Sequence, residues 1–446
     1  MARLSHKGAR EPVAGARSNA TRAQPPSIGA RSTATLAQPS NVGTRILRHN
    51  AGRWPDLLAM KYARMTRDPL SFLRATCHLF GDGWDAVVRG TALQEAPAVW
   101  SCGDLHLENF GSFTARNRLV CFDVNDFDES ALLPLSWDLV RLGASVLVAA
   151  NALGVTSRQA ASLVRSLVVA YADALVEGTA RWVELDAATG VVRELLEMAR
   201  KRTRSALLDR FSRTRHRRRV LRTDGEHALP ASVADHLLVR ALIREIGRRE
   251  RRARFFRVLD VARRTSGSGS LGLARWVVLI EGEGAPSGHY LLDVKEARRS
   301  VARSHSNCRQ RRFSSEAERV MLVQRRAQAH SPALLHAVVV GAASFVAREL
   351  QPSKDRLHLD SCGGGMAQLC AAMVTMGEVA AWDALRGASR DGAASVRRLR
   401  AFASGRTWRT EIGIASRRAA QQSAQEWRAW QKFARHLSAA GLPARE

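Results

Sequence analysis

Residues 101–129 read SCGDLHLENFGSFTARNRLVCFDVNDFDE, a concentration of acids and amides in a chain of formal net charge +28. In GDLHLEN, Asp104 and Asn109 stand five apart. A carboxylate there can take or orient the proton of an attacking hydroxyl, while an amide oxygen one short loop away holds a cation that neutralises phosphate charge. The strand-like RLVCFDVND then delivers Asp126, with Asp123 as a reserve ligand. Hard oxygen donors without thiols suit Mg²⁺ better than Zn²⁺. His106 with Asp104, Asp123 and Asp126 offers a second reading, a metal-hydrolase cluster, for which one histidine is thin. Asp128 and Glu129 read as a solvated turn.

Far along the chain, Gly267, Ser268, Gly269, Ser270 and Gly272 form GSGSLG, a G-x-G-x-x-G. A dinucleotide fingerprint must open a helix, but here the β-rich LARWVVLI follows, so Asp293 about twenty residues on lacks its context. A glycine loop between antiparallel strands instead matches the flap whose N–H groups lie over nucleotide phosphates in kinases; a plain hairpin turn is the alternative. LLDVKEA next presents Lys295, one of six lysines beside sixty-three arginines. A lysine kept against that bias points to a need for the compact ammonium. Kinases place such a lysine on the α- and β-phosphates and pair it with a helix glutamate, for which Glu318 in SSEAERVMLVQ is the candidate and Glu316 the alternative. Asp104, Asn109 and Asp126 fit the base, metal-binding Asn and metal-binding Asp of the same template in role and order.

At 446 residues, 46% hydrophobic and 25% charged, the chain is globular, with room for two or three domains. Arginine and alanine bias weakens the high pI as a sign of nucleic-acid binding, which is a possible partner but not the favoured one. The six cysteines form no C-x-x-C pair, which fits a reducing cytoplasm. No signal peptide is evident, and the apolar runs at 143–155 and 333–347 fall short of the roughly 20 residues of a membrane span. A soluble, cytoplasmic protein with no membrane partner is expected.

These residues need elements to hold them. Residues 1–50, with near copies GARSNATRAQPPSI and GARSTATLAQPSNV, read as a disordered Arg/Ala/Ser/Pro-rich tail. Residues 51–200 hold helices broken at Asp68-Pro69, a strand-loop-strand over 97–129 and two helices in 137–185. A basic helical connector is expected over 201–264; residues 200–264 carry 21 Lys plus Arg against 7 Asp plus Glu, a solvated face or an anionic-ligand surface. Residues 265–350 form a β-rich nucleotide-binding unit, with a hairpin of 275–282 and 289–297, a helix over 314–330 and strands within 334–350. Residues 351–446 are mostly helical.

CGDLHLENFG, FDVNDFDE, WDLVRLGAS, GSGSLG, VKEA and KYARMTRDPLSFLRAT resemble, over about residues 50–440, a bacterial family known as domain of unknown function 2252. The GDLHLEN, DFDE and WDL run is also similar to the aminoglycoside and choline phosphotransferase branch of the kinase-like fold. That resemblance implies an α+β, two-lobed protein-kinase-like fold and a phosphotransferase using ATP and Mg²⁺ on an unknown hydroxyl acceptor, a small molecule rather than a protein. It also implies that Asp138 starts a helix steadying the 104–109 loop. Cys102 departs from the branch by replacing the histidine before Gly-Asp, and the Asn109 to Asp126 gap is longer than usual. Chain order departs further, since the loop precedes the glycine strand pair; circular permutation reconciles it, with 267–350 as the N-lobe and FVARELQ as the hinge. A nucleotide-binding regulatory protein without transfer chemistry, and nucleotidyl transfer from the same site, are the alternatives.

Overall fold

The first helix begins at Val42, inside the tail that the sequence leads one to expect up to residue 50. A computed structural model describes residues 41–439 apart from 217, 226, 268, 286, 353–355 and 360–364. The expected tail up to residue 40, and Ser268, lie outside the described residues. Helix α1 (Val42–His49) starts at Asn41, whose side chain accepts the Thr44 N–H. Its Ile46 is fully buried with Met65, Phe72 and Trp430, so residues 41–50 belong to the core rather than to a tail.

Three helices follow, α2 (Pro55–Arg67), α3 (Pro69–Ala75) and α4 (Cys77–Val88). The break at Asp68-Pro69 is local chemistry: proline cannot donate to a continuing helix, and the Asp68 carboxylate caps Leu70 and Ser71 N–H. Strands β1 (Ala98–Ser101) and β4 (Ala131–Pro134) pair antiparallel, as do β2 (Phe110–Thr114) and β3 (Val120–Val124). Helices α5 (Ser136–Val148) and α6 (Ser157–Glu177) complete this part. By length and composition α6 could cross a membrane, yet half of its apolar stretch is buried within the protein, and its backbone at Leu167 meets Gly377 closely.

The basic span is not the helical connector expected. After α7 (Gly190–Lys201) it contains α8 (Arg204–Phe211), β5 (Ser212–Arg215), β6 (Arg218–Leu221), β7 (Ala228–Pro230), α9 (Val233–Arg249) and β8 (Val258–Arg264). Its last strands enter the main sheet with β9 (Arg275–Ile280), β10 (Tyr290–Ala297), β11 (His336–Val340) and β12 (Ala343–Glu349), in the order β11-β12-β10-β9-β8-β7. All these pairings are antiparallel. Helix α10 (Glu316–Ala327) lies between β10 and β11 in the chain. One face of the sheet carries Val278, Ile280, Leu292 and Val294 against Ile243 and Ile246 of α9. The other carries Val277, Leu279 and Leu291 against Leu208 and Phe211. Burial on both faces explains why RWVVLI is apolar almost without alternation.

Helices α11 (Gly365–Gly387), α12 (Val396–Ser404) and α13 (Thr407–Ala439) pack with α5 and α6 in the largest core. The described residues from Asn41 onward form one compact unit, through which the expected boundaries at 200, 264 and 350 run. The five described cysteines are free. The architecture is mixed α+β, and mostly helical outside its six-stranded sheet.

Candidate functional site

The 102–109 loop is held from below by one face of α5. Asp138 accepts the N–H groups of Cys102 at 3.0 Å and Gly103 at 3.2 Å, and the Trp137 indole donates to the Gly103 carbonyl at 2.9 Å. One and two turns on, Arg141 Nε donates to Asp104 at 2.9 Å and Ser145 Oγ accepts from Leu107 N–H at 3.1 Å. Trp137, Arg141 and Ser145 recur at four-residue spacing, which puts them on one helix face. WDLVRLGAS is therefore a cradle for the loop. Gly103 must be glycine: its φ is +85°, and a Cβ would overlap the Glu129 carbonyl.

Within the loop, Asn109 is buried and its amide nitrogen donates to the Asp104 carbonyl at 2.7 Å, so Oδ1 is the atom it can offer a cation. Burial pushes the Asp104 carboxyl above its usual range, against the pull of Arg141. His106 is buried too; desolvation and the charges of Arg74, Arg141 and Arg356 hold it neutral.

The glycine segment joins β8 to β9, an antiparallel pair. Its carbonyls are gripped by cations from the N-terminal segment, Arg53 of the turn between α1 and α2 and Lys61 of α2: Gly269 accepts from Arg53 at 2.7 Å and from Lys61 at 2.9 Å, and Leu271 from Arg53 at 3.0 Å. At its far end Gly272, with φ +86°, accepts the Trp54 N–H at 2.8 Å. Arg275 supports it from the sheet, donating to Ser270 Oγ at 3.0 Å and to Asp293 at 2.6 and 2.8 Å. Asp293 is buried, and although burial opposes ionisation, Arg264 and Arg275 hold its carboxyl well below the usual range. It is a structural anchor for three strands. Among the described residues no acceptor is bonded to the N–H of Gly267, Gly269 or Ser270, which leaves these donors open to a ligand.

Side chains from the sheet unit grip the backbone of residues 124–130 and so close the site. Fully buried Arg319 of α10 donates to the carbonyls of Ser130 at 2.7 Å, Asp128 at 2.8 Å and Arg298 at 3.0 Å. Arg348 of β12 donates to the Asn125 carbonyl at 2.8 Å and Gln328 to that of Val124 at 2.6 Å. With the turn fixed, Lys295 Nζ stands 3.7 Å from Asp126 Oδ1 and pairs directly with Asp128. Burial pushes the Asp126 carboxyl up, but Lys295, then Arg348, Arg356 and Arg275, outweigh it and hold the group at about 2. Asp128 moves the other way, raised by burial and by its neighbour Asp126.

These groups wall a cavity of about 990 Å³. Asp104, Asn109, Asp126, Lys295, Gly267, Gly269 and Ser270 all line it. Three described sequence candidates are not brought there: Gly272, whose carbonyl is turned to the Trp54 N–H, Asp123 and Glu318. Asp123 lies inside β3 and faces the protein interior, accepting from Val124 N–H at 2.8 Å and Ala329 N–H at 3.3 Å beside Asp383 and Arg386. Glu318 folds back on the start of α10, accepting from Ser314 N and Oγ at 2.6 Å, so it does not serve Lys295. Glu316 lines the cavity but pairs with Arg319 at 2.6 Å.

The DFDE turn is also not solvated as expected. Asp128 meets Lys295, and Glu129 accepts the Val301 N–H at 2.5 Å while burial raises its carboxyl to about 7. Arg141, Arg319, Lys61 and Glu129 are site residues the sequence reading missed. Lys61 carried a signal, its rarity as a lysine.

Among the described residues no group of three or more His, Cys, Asp or Glu side chains is spaced to hold a metal, which removes support from the His106-centred hydrolase cluster. Asp126, Asp128 and the Asn109 amide remain as oxygen donors on the cavity wall. One or two carboxylates with substrate phosphates are the usual Mg²⁺ environment in phosphoryl-transfer sites.

No curated protein and no solved structure matches the chain. The family described as an uncharacterized protein conserved in bacteria, DUF2252, matches residues 53–435, a span that includes the 102–109 loop, the DFDE turn, the glycine segment and Lys295. By that match over most of its length, the chain belongs to the DUF2252 family.

Proposed function

We propose that the protein is a kinase-like phosphotransferase that uses Mg-ATP to phosphorylate a hydroxyl of a small-molecule acceptor. The observation that carries this reading is the 3.7 Å approach of Lys295 to Asp126 across the cavity. In the kinase template a strand lysine after a glycine loop and a metal-binding aspartate after the catalytic loop face one nucleotide. The order strand, glycine loop, strand, lysine strand, helix, two strands over 258–349 supports the same reading. A circular permutation then accounts for the 102–129 segment preceding the sheet.

In this reading the open N–H groups of Gly267, Gly269 and Ser270 lie over the phosphates. Lys295 clamps the phosphates, and its release from Asp128 and Asp126 frees both carboxylates. Asn109, Asp126 and Asp128 would hold Mg²⁺, which neutralises charge on the transferring group. Asp104 orients the acceptor hydroxyl. Its pairing with Arg141 favours positioning over strong basicity, which suffices for a reaction carried mainly by alignment and charge stabilisation.

Calorimetric titration of Mg-ATP into the wild type, Asp126→Ala and Lys295→Ala tests the proposal. Binding to the wild type that is lost in both variants supports one shared site. A wild type that binds no nucleotide ends it. Binding without any phosphoryl transfer across an acceptor screen would instead favour a regulatory nucleotide-binding role.

A further inference from the structure

The 104–109 side of the cavity holds charge that the nucleotide does not use. Arg74, at the end of α3, lines the cavity with its side chain 10% exposed and pairs with Glu108 at 2.6 Å, yet its Nε is buried without a hydrogen-bond partner. His106, 5% exposed, lines the same cavity, and its Nδ1 is also buried and unpartnered. Arg356 adds a second guanidinium: its backbone bridges to Gly111, just after the loop, and it lies within electrostatic reach of Arg74, Asp126 and Glu108. Among the described residues it has no ion-pair partner. Two guanidiniums thus share one carboxylate, Glu108, because Asp126 is engaged by Lys295.

A surplus of guanidinium on the cavity wall, Arg74 and Arg356 against the single carboxylate of Glu108, calls for an anion. The proposed nucleotide clamps, Lys295 and the glycine segment, come from the sheet. Arg74, His106 and Arg356 instead surround the loop that carries Asp104, where the acceptor hydroxyl must sit. Space permits both ligands, since about 990 Å³ lies at the upper end of the roughly 300–1,000 Å³ typical of a single small-molecule site.

We propose that Arg74, His106 and Arg356 form an anion subsite that holds a phosphate or carboxylate of the acceptor. The acceptor is then an anionic small molecule, in contrast to the cationic amino sugars and choline of the phosphotransferases that the loop resembles. This rests on the phosphotransferase reading. Arginine suits the task because its planar fork matches either oxyanion with two parallel hydrogen bonds.

The test titrates inorganic phosphate, and separately acetate, into the full chain saturated with Mg²⁺ and a non-hydrolysable ATP analogue. Wild type, Arg356→Gln and Arg356→Lys are compared, the lysine variant keeping the charge while losing the fork. Arg356→Gln is expected to weaken the preferred anion at least tenfold, and more than it weakens the analogue, with Arg356→Lys between; the stronger anion in wild type identifies the acceptor's group. Anion affinity unchanged in Arg356→Gln, or phosphate that merely displaces the analogue, overturns the subsite. If the analogue does not bind wild type, the phosphotransferase reading fails by itself. The same titrations without analogue then still decide the subsite: an Arg356-dependent anion sustains it, and none overturns it.

Discussion

Arg319 donates to both the carbonyl and the hydroxyl of Ser130, at 2.7 and 2.9 Å, from a position with 1% exposure. The same guanidinium reaches the carbonyls of Asp128 and Arg298 and takes Glu316 as its counter-ion. One side chain therefore fixes the DFDE turn against the end of the lysine strand. Arg319→Met leaves several buried acceptors and a carboxylate unpaired, and a cost of about 3 kcal/mol or more is expected from broken buried pairs. Arg319→Lys should not restore it, because three donors on one nitrogen cannot span five acceptors. Denaturant unfolding measures the loss, and faster amide exchange over 126–130 locates it. A lysine variant as stable as wild type would contradict this role.

Arg141 and Asp104 form another pair largely withdrawn from solvent, at 2.8 Å with side chains 3% and 20% exposed. Removing either partner strands the other, so Arg141→Met and Asp104→Asn should each destabilise by about 3 kcal/mol. The double variant should lose clearly less than the sum, since the second change removes the stranded charge. Additive losses in unfolding experiments would mean that the two side chains act independently.

Much of this was legible before any fold was known. The spacing of Asp104 and Asn109, Asp126 after its strand, the hairpin that presents Lys295 and the helix break at Asp68-Pro69 all follow from local patterns. Arg141, Arg319 and Arg348 were hidden because sixty-three arginines make any one of them unremarkable. Lysine scarcity singled out Lys295 and applied equally to Lys61, which is buried and grips Gly269. Glu318 was misplaced although S-x-x-E at Ser315 is a helix-start signature that predicts a glutamate folding back on its own helix. Asp123 was overvalued because nearness in sequence to Asp126 does not show that β3 turns it inward, beside Asp383 and Arg386. What local pattern could not give was the convergence of two distant segments, which depends on side chains gripping backbone far away in sequence.

Glu129 makes stability depend on pH. Burial raises its carboxyl from 4.5 to about 7, so between those values the folded state binds more protons than the unfolded one and stability falls as pH rises. The contribution is fully present below about pH 4.5 and amounts to roughly 3 kcal/mol over the window. Glu129→Gln removes the titration while keeping an oxygen for the Val301 N–H. Unfolding free energies of variant and wild type, compared from pH 4.5 to 7.5, should show the variant gaining on wild type as pH rises. A constant difference would place the Glu129 carboxyl in its ordinary range.

Lys295 occupies the place where a cation must sit between Asp126 and Asp128. Its ammonium lowers the Asp126 carboxyl to about 2, so the ionised pair adds stability above pH 3.8 that is lost as pH falls toward 2. In Lys295→Met two carboxylates face each other without that charge, and one should hold its proton into a higher pH range. A divalent ion then becomes the better neutraliser. Without nucleotide, millimolar Mg²⁺ should raise the thermal midpoint of Lys295→Met more than that of wild type, since a ligand of the folded state stabilises in proportion to the logarithm of its saturation. Lys295→Met with Asp126→Asn should lose the extra response. If Mg²⁺ shifts wild type and Lys295→Met equally, the Asp126 and Asp128 carboxylates are not metal-binding groups, and the proposed Mg-ATP reading loses its metal site.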